Sequence, residues 1–526
     1  MTTLEEGWRQ LHPRTVVVTV LTVAGILAGV AIPIIIGVLD DGDAILPILL
    51  IAIAGIVVVS AVAAFVDTMR YRHTTYRVTD ERIELRYSWV LHKRRSVPRE
   101  RVRTVDLTAN PLQRVFGLAK VKIGTGQQTR DSGSHLTLDP VDKAVAEELR
   151  RLLLHREAAP SVEQTPGELA KLDWRWIRFA PISVTTPILG AAAFGAIMQV
   201  SEWFNAQGAV FRLVRYLFED LSAVGLVGAL VVIGVVVGIV GSLGLFVEMW
   251  FRYRLTREDG NLLMTRGLLN TRSLTLEQRR LRGVELVEGL GVRMLGAARV
   301  DVVATGMSQK SDDDKTDPKT VLPAAPFEVA RRVATEVLGS PAATATSLVA
   351  HPRAARARRL RWGLFAVAVP VGVLAVLGWL LTTVLLHLAW ILAVVLTPVA
   401  VLLALEAYRN LGHGLASDHL VTRHGVGARR TVALLRTGVI GWTITRSPFQ
   451  RRAGLMTIHA TTAANKGAYP VYDIDEVDGL RFADEAVPGL LTPFLEPVTP
   501  RGEDGLVCDG VDPEGNVFQL RQRDAL

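Results

Sequence analysis

Six apolar runs with almost no charge, arranged as three consecutive pairs, most constrain what this chain can become. They are Val16–Leu39, Ala44–Val66, Pro181–Val200, Ala223–Phe246, Leu364–Leu386 and Ile391–Leu405. A run of ~20 apolar residues crosses a ~30 Å hydrocarbon core as a helix. Lipid offers the backbone no water, so its N–H and C=O groups must pair within the segment. The chain is 49% apolar, 21% charged and has a mean hydropathy of +0.30. That excess is gathered into the six runs, unlike the apolar content of a soluble core. Asp40, Asp41 and Asp43 form an acidic turn inside the first pair, and His387 and Trp390 read as a narrow turn inside the third. The third run is weakened by Pro181, Pro187, Thr185 and Thr186. Ser201–Asp220 comes after it and reads as an amphipathic loop on the outer interface.

Charge then sets orientation. Arg70, Arg72 and Arg77 follow the second run, Arg252, Arg254 and Arg257 follow the fourth, and Arg353–Arg361 precedes the fifth. The positive-inside rule places these flanks, the N- and C-termini and the segments between the pairs in the cytoplasm. Met1–Arg14 carries Glu5 and Glu6 and no cleavage pattern, so the first run reads as an anchor. The net charge of +8 fits cytoplasmic loops of a plasma-membrane protein better than a nucleic-acid surface, and no nucleic-acid partner is expected. One cysteine, Cys508, excludes an internal disulfide and any multi-cysteine metal site.

The sequence after each pair is strand-like. Tyr76-x-Val78 and Ile83-x-Leu85-x-Tyr87 alternate with period two, as do Val105-x-Leu107, Val121-x-Ile123 and Leu136-x-Leu138. Ala144–Leu154 then reads as a closing helix. Pro111-Leu112-Gln113-Arg114-x-x-Gly117-Leu118 returns as Pro448-Phe449-Gln450-Arg451-x-x-Gly454-Leu455. A degraded copy, with Arg293 and Gly296, lies between them. Tyr253-Arg254-Leu255-Thr256 matches Tyr76-Arg77-Val78-Thr79, and Leu262 and Met264 take the places of Ile83 and Leu85 after a small insertion. One unit is thus written three times. The expected order is an N-terminal segment (1–15), span pair (16–66), β domain (71–155), linker (156–176), span pair (177–249), β domain (251–339), basic linker (340–361), span pair (362–407), a less complete β domain (408–487) and a loosely ordered tail (488–526).

Tyr76-x-Val78-Thr79-Asp80-Glu81-Arg82-Ile83, a basic hairpin, and the block Pro111–Leu118 resemble the bacterial PH-domain family of membrane proteins, in particular its three-domain YdbT-like members. The resemblance covers the chain to about Tyr472. It implies an α+β membrane protein: six transmembrane helices as three hairpins, and three cytoplasmic PH-like β-barrels, each closed by a C-terminal helix. It implies no enzyme activity and supplies no catalytic residues.

Candidate contacts are therefore few. His92, Lys93, Arg94 and Arg95 form a basic hairpin that suits anionic lipid headgroups or a protein partner; the alternative is a charge run that only orients the spans. In the repeated block, Pro111, Gln113, Gly117, Pro448, Gln450 and Gly454 read as structural, and Arg114, Arg293 and Arg451 either bind an anion or tie the block to its own domain. Asp312, Asp313, Asp314 and Asp317 read as a solvated hairpin tip. His413, His419 and His424 lack a companion ligand at metal spacing. No catalytic, cofactor or metal site is expected. The spans show no mid-membrane charge, which speaks against an ion pathway. The chain reads as a binding or assembly platform for protein partners, further copies of itself or anionic lipid headgroups, in cell-envelope maintenance. The rival is a transporter or channel-like subunit, with Thr185, Thr186, Ser222, Thr382 and Thr383 as its polar seam.

Overall fold

The computed structural model describes residues 7–39, 45–79, 81–88, 92–102, 104–124, 135–154, 167–182, 185–203, 221–258, 260–305, 319–464, 467–491, 495–497 and 518–520, with single positions between 208 and 218 and at 493. The acidic turn at 40–43, most of the loop after residue 203, the acidic segment 311–317 and Cys508 lie outside them. The chain divides into two compact units: residues 1–280 with 306–316, and residues 281–305 with 317–526.

The apolar runs are helices. The first unit holds α1 (Thr15–Leu39) and α2 (Ile45–His73). α2 runs well past the expected end at Val66. Arg70, Arg72 and His73 sit in its last turn, where cations meet the negative end of the helix dipole. α3 is the short repeated block described below (Pro111–Val115), and α4 is Lys143–Leu154. The third run is bent. A 3₁₀ segment, Trp174–Ile182, meets α5 (Thr185–Trp203) at 73°. Pro181 lies in that segment and lacks the N–H a continuous helix would need. α6 is Ala223–Trp250. Among the described residues five helices are long and apolar enough to cross a membrane, or six if the bent pair is one span.

α5 and α6 approach closely through small residues. A Cβ on Gly190 would lie 2.2 Å from the Gly234 carbonyl oxygen, and one on Gly238 would lie 2.4 Å from that of Thr186. Gly234 and Gly238 form the small-xxx-small spacing that lets membrane helices touch backbone to backbone.

In the second unit, α7 (Leu290–Met294) and α8 (Phe327–Leu338) precede the membrane helices α9 (Arg353–Leu380) and α10 (Thr383–Arg409). His387 and Trp390 are not the turn between these spans. The chain reverses at Leu381 and Thr382, where the Thr382 hydroxyl accepts the Val384 N–H. His387 and Trp390 lie inside α10, and the His387 Nδ1 is 2.7 Å from the Thr383 carbonyl oxygen. A hydroxyl cap at Thr382 starts the helix earlier than hydropathy alone suggests.

Each span pair is inserted into a sheet. β1 (Arg9–Gln10) precedes α1 and pairs antiparallel with β2 (Thr74–Val78), which follows α2. β8 (Gly167–Lys171) and β9 (Arg254–Glu258) flank the second pair in the same way. Val349 and His413 flank the third and form a single bridge, with the Val349 N–H donating to the His413 carbonyl at 2.8 Å. Residues 167–171 therefore correct the linker read at 156–176. The strand is too short to show a period, and its partner lies beyond two membrane helices.

The first unit has a four-stranded sheet in the order β1-β2-β3-β4, with β3 (Arg82–Ser88) and β4 (His92–Pro98). Its seven-stranded sheet runs β7-β6-β5-β11-β10-β9-β8. Here β5 is Thr104–Ala109, β6 Leu118–Gly124, β7 His135–Asp142, β10 Asn261–Arg266 and β11 Thr271–Glu277. The second unit has a six-stranded sheet, β14-β13-β12-β17-β16-β15. Its strands are β12 (Leu281–Gly289), β13 (Ala297–Ala304), β14 (Thr320–Pro326), β15 (Gly412–Ala416), β16 (His419–His424) and β17 (Ala428–Leu435). A three-stranded sheet joins β18 (Val439–Thr445), β19 (Leu455–Thr462) and β20 (Ala468–Asp475).

The long sheets ignore the repeat boundaries. Each joins the second half of one repeat to the first half of the next. Closure of each repeat into its own barrel is not among these pairings. The third repeat is as complete as the others: it has six strands and a closing helix, α12 (Glu476–Ala486), after the short block helix α11 (Pro448–Arg451). Gly479 hides that helix from a periodicity reading. A Cβ there would lie 2.9 Å from Ile458 and Ile474, so the position must stay bare for α12 to dock. The expected match of Tyr76 to Tyr253 is two residues out. Val78 pairs with Ile83 and Arg257 with Leu262, while Ile83 and Leu262 pair with Val97 and Leu276. Tyr76 thus corresponds to Leu255, with no insertion. A slip of two keeps side chains on the same face, so the pattern concealed it.

Cores form between sheet and helix. Tyr76, Ile83, Val105, Val121, Ile123, Leu138 and Leu149 cluster in the first unit, and Leu420, Leu434, Met456, Ile458, Val471 and Phe482 in the second. Within the expected loose tail, β21 (Leu495–Pro497) pairs with β22 (Phe518–Leu520).

Gly238→Val is expected to separate α5 from α6 and lower the unfolding temperature of the detergent-solubilised chain. Gly244→Val, with nothing within 4 Å of its added Cβ, is expected to leave it unchanged. Equal midpoints for the two variants would remove the close crossing as a source of stability.

Candidate interaction surface at the repeat junctions

The repeated block is one helical turn followed by a reversal. α3, α7 and α11 occupy the same place in the three repeats. In the first, the Asn110 N–H donates to the Gln113 side chain at 3.0 Å; in the third, the Ser447 N–H donates to Gln450 at 2.9 Å and the Ser447 hydroxyl accepts the Gln450 N–H. These are capping boxes with proline in the first turn. The second block has Gly289 as its cap and no side-chain bond there, which accounts for its degraded sequence. Gly117, Gly296 and Gly454 have φ of +70°, +65° and +63°, a conformation that disfavours a Cβ. Pro111, Gln113, Gly117, Gly296, Pro448, Gln450 and Gly454 thus build the turn.

The block arginines do something else. The Arg114 guanidinium donates to the Leu268 carbonyl, in the β10–β11 turn of the following repeat. Arg293 donates to Glu406 at 2.7 Å and to Asn410 at 3.4 Å, and Asn410 donates to the Gly425 carbonyl in the β16–β17 turn at 3.0 Å. The Leu290 N–H also reaches the Gly427 carbonyl of that turn. The arginine therefore ties its block to the next repeat and not to its own domain, which corrects the expectation. Both turns need glycine. Gly267 and Gly425 have φ of +110° and +128°, and a Cβ would lie 2.0 Å from the Asn270 oxygen and 1.9 Å from the Ala428 oxygen. Glu248, near the end of α6, accepts the Leu269 and Asn270 N–H groups at 3.0 Å each, so a membrane helix also holds the first of these turns. Arg451, the block arginine of the third repeat, is exposed, and its side chain has no such partner among the described residues.

The junction strands share one register. Ala109 lies opposite Thr271 and Thr104 opposite Leu276. Glu288 lies opposite Arg429 and Gly283 opposite Leu434. Counted back from the block helix and from the 3₁₀ turn after each hairpin (Gln278–Arg280 in the second repeat and Arg436–Gly438 in the third), these are the same positions. One ion pair recurs with them. Arg272 lies 3.3 Å from Asp106, and Arg430 lies 2.6 Å from Glu285. Arg429 also pairs with Glu288. Glu285 and Glu288 are buried, so removing either partner leaves a desolvated charge.

The basic hairpin does not act as one patch. The Arg94 guanidinium donates to Glu84 at 2.9 Å, and Arg77 lies 3.4 Å from the same carboxylate. Burial works to raise the Glu84 carboxyl, but the hydrogen bond and charge of Arg94, with Arg77 and Arg82 behind it, hold it below its ordinary range. Arg94 is thus an internal partner. His92, Lys93 and Arg95 are strand residues opposite Ser88, Tyr87 and Leu85.

A buried polar network, legible only in three dimensions, joins the third block to the fifth span. Asp473 is fully buried, with φ of +53°. It accepts bonds from Arg358, from Arg359 at 2.9 Å and from the block residue Gln450 at 2.9 Å. Two cations of the basic linker run Arg353–Arg361 are therefore bound within the protein. His351 contacts the Asp473 carbonyl at 3.2 Å, and its Nε2 lies 3.1 Å from the His413 Nδ1. His413 thus meets His351 and Phe482 rather than His419 or His424. No group of three metal-ligating side chains forms among the described residues.

These contacts generate two expected outcomes. Glu285→Arg is expected to destabilise the second unit by about 3–5 kcal/mol, and Glu285→Arg with Arg430→Glu to recover part of that loss. Chemical unfolding of the two variants against wild type measures both, and an unrecovered double variant would show that the pair is not coupled. Burial, and then the charge of His351, push the His413 imidazole down to about 4, and burial also lowers His351. Both rings fold neutral. Their contribution is complete above the unfolded value of ~6.5 and is lost as pH falls towards 4. The unfolding midpoint should drop over that window, and His413→Gln should flatten the drop. An unchanged profile would exclude the histidine pair.

A bacterial PH domain family model matches residues 16–157, 209–340 and 363–482. The UPF0699 transmembrane protein YdbT of Bacillus subtilis (strain 168) is 20% identical over 277 residues, covering 49% of this chain and 55% of that protein. The chain thus spans about half the length of this curated relative. No solved structure matches.

Proposed function

The chain belongs to the bacterial PH-domain family, and on that footing we propose that it is a non-enzymatic membrane scaffold whose PH-like repeats assemble edge to edge with protein. The observation that carries this reading is the recurrence of one strand register and one ion pair at both internal junctions. A surface used twice in the same way within a chain is a pairing surface by construction. The PH-like domains face the cytoplasm of the plasma membrane, with both termini, because the arginines flank the spans on that side. Each repeat is a PH-like barrel that gives up its private closure to pair with its neighbour. The scaffold serves the cell envelope and takes no cofactor.

The transporter reading is disfavoured by where the acids of the spans stand. Asp67, Glu202, Glu248 and Glu406 all lie in the last two turns of their helices. Thr19 donates to Asp67 at 3.0 Å, Glu248 holds a hairpin turn, and Glu406 holds Arg293. A transport pathway needs ionisable groups near the midplane. The lipid reading of the basic hairpin loses Arg94 to Glu84 and finds its equivalents in repeats two and three used for ion pairs.

The two surviving readings separate in nanodiscs. Full-length chain is placed in discs of neutral lipid and in discs with about one-third anionic lipid, and amide exchange of β3 and β4 is followed. A scaffold gives equal protection in both. Protection that appears only with anionic lipid and vanishes with salt would replace the scaffold with a lipid reader.

A further inference from the structure

The two internal junctions are built alike but closed differently. Glu248 and Glu406 stand at the same distance before their turn glycines, Gly267 and Gly425, and by the same count Arg252 corresponds to Asn410. Lys143 corresponds to Phe327: each opens its closing helix and donates its N–H to the block glycine carbonyl, Gly117 or Gly296. At the second junction the block arginine, Arg293, is met by Glu406 at 2.7 Å and by Asn410 at 3.4 Å. At the first, Glu248 is engaged by the N–H groups of the hairpin turn, and Arg114 bonds the Leu268 carbonyl instead of an acid. Two cations, Arg252 and Lys143, replace the neutral Asn410 and Phe327 there.

A cavity of about 700 Å³ occupies this part of the first junction. Five of the charged side chains on its wall are cations and one, Glu147, is an acid, which Arg150 neutralises at 3.1 Å. Arg266 lies over the Trp250 ring, 4.4 Å from its centroid, and Arg272 lies 3.3 Å from Asp106. Arg114, Lys143 and Arg252 remain. All three are exposed, and none pairs with a carboxylate among the described residues. Like charges around one cavity repel unless an anion lies between them. Arg252 also has φ of +52°, a conformation that an arginine adopts at a cost. A second recess of about 400 Å³ shares some of the same walls but is balanced: Lys120 pairs with Asp139 at 2.9 Å, and Glu248 lines it.

We propose that the cavity between α3, the start of α4 and the end of α6 binds an anionic phosphate group, held by Arg114, Lys143 and Arg252. The anion does at the first junction what Glu406 does at the second: it ties the block arginine to the chain leaving a membrane helix. Phosphate fits better than carboxylate, because it offers three oxygens to donors that come from three separate elements, and guanidinium groups match it in pairs. The volume is that of a small-molecule site. Two sources carry the group. α6 has 28 residues, about 42 Å of helix, so its end passes beyond a ~30 Å hydrocarbon core into the headgroup layer, where lipid phosphates stand. A soluble phosphate or phosphate ester would enter from water. The site does not depend on the scaffold reading, since the strands of the junction pair whether the cavity is filled or empty.

Native mass spectrometry of the full-length chain in a non-ionic detergent tests this with three probes: phosphatidylglycerol, glycerol 3-phosphate and inorganic phosphate. The wild-type chain is expected to retain one molecule of a probe. Retention of phosphatidylglycerol alone assigns the lipid as the source, and retention of a soluble probe assigns water. Arg252→Asn and Lys143→Gln are each expected to weaken that binding about tenfold or more, as loss of a charged hydrogen bond does. Asparagine tolerates positive φ, so Arg252→Asn removes the charge without straining the backbone. Lys143→Arg is expected to bind as wild type does, and Lys120→Gln, in the balanced recess, to change nothing. Equal binding by wild type, Arg252→Asn and Lys143→Gln would overturn the proposal. So would failure to retain any probe, or a loss in Lys120→Gln as large as in the other two.

Discussion

Antiparallel pairing between the last half of one repeat and the first half of the next is the constraint on which the β structure depends. It satisfies backbone groups that a single repeat would leave on open edges. It also buries Glu285 and Glu288 beside arginines, so that the contact tolerates one register and penalises slippage. The block arginine adds a second tie from the same repeat to the same neighbour, through a hairpin turn that only glycine can make. Strand, ion pair and block thus form one composite junction, and it occurs twice.

The membrane helices are tied to the same elements. Each span pair leaves from one strand and returns beside it, so the sheet edge and the helix ends are set by a common anchor. Glu248 and Glu406 carry the connection onward, one to a hairpin turn and the other to a block arginine. At the third repeat the anchor is the buried Asp473 with Arg358 and Arg359. Movement of a span would be felt at the sheet it leaves from. The arrangement ties the position of each sheet to the helix ends beside it.

How much of this could be read in advance varies by element. The spans were legible because hydropathy over a long run is a direct measure of the solvent a segment needs. The bend near Pro181 was hinted at by its prolines. The block was legible as a repeat, and its capping boxes explain why Pro, Gln and Gly recur. The arginine at its fourth position was visible but its partner was not, because a guanidinium signals a bond and not where the acceptor lies. The two-residue error between Tyr76 and Leu255 shows the limit of strand periodicity, which records a face and not a register.

The sequence by itself determined that this is a multi-span membrane protein built from three copies of one α+β unit, because hydropathy and repetition are local and additive. Which strands pair, and between which repeats, was decided only by the tertiary structure. A β edge is chemically similar all along its length, and its partner is chosen by long-range geometry and charge. Asp106 and Arg272, or Glu285 and Arg430, are ordinary surface residues until the chain has folded far enough to bring them together. The same is true of His351, His413 and Asp473, which are scattered along the chain and meet only where a membrane helix enters a sheet.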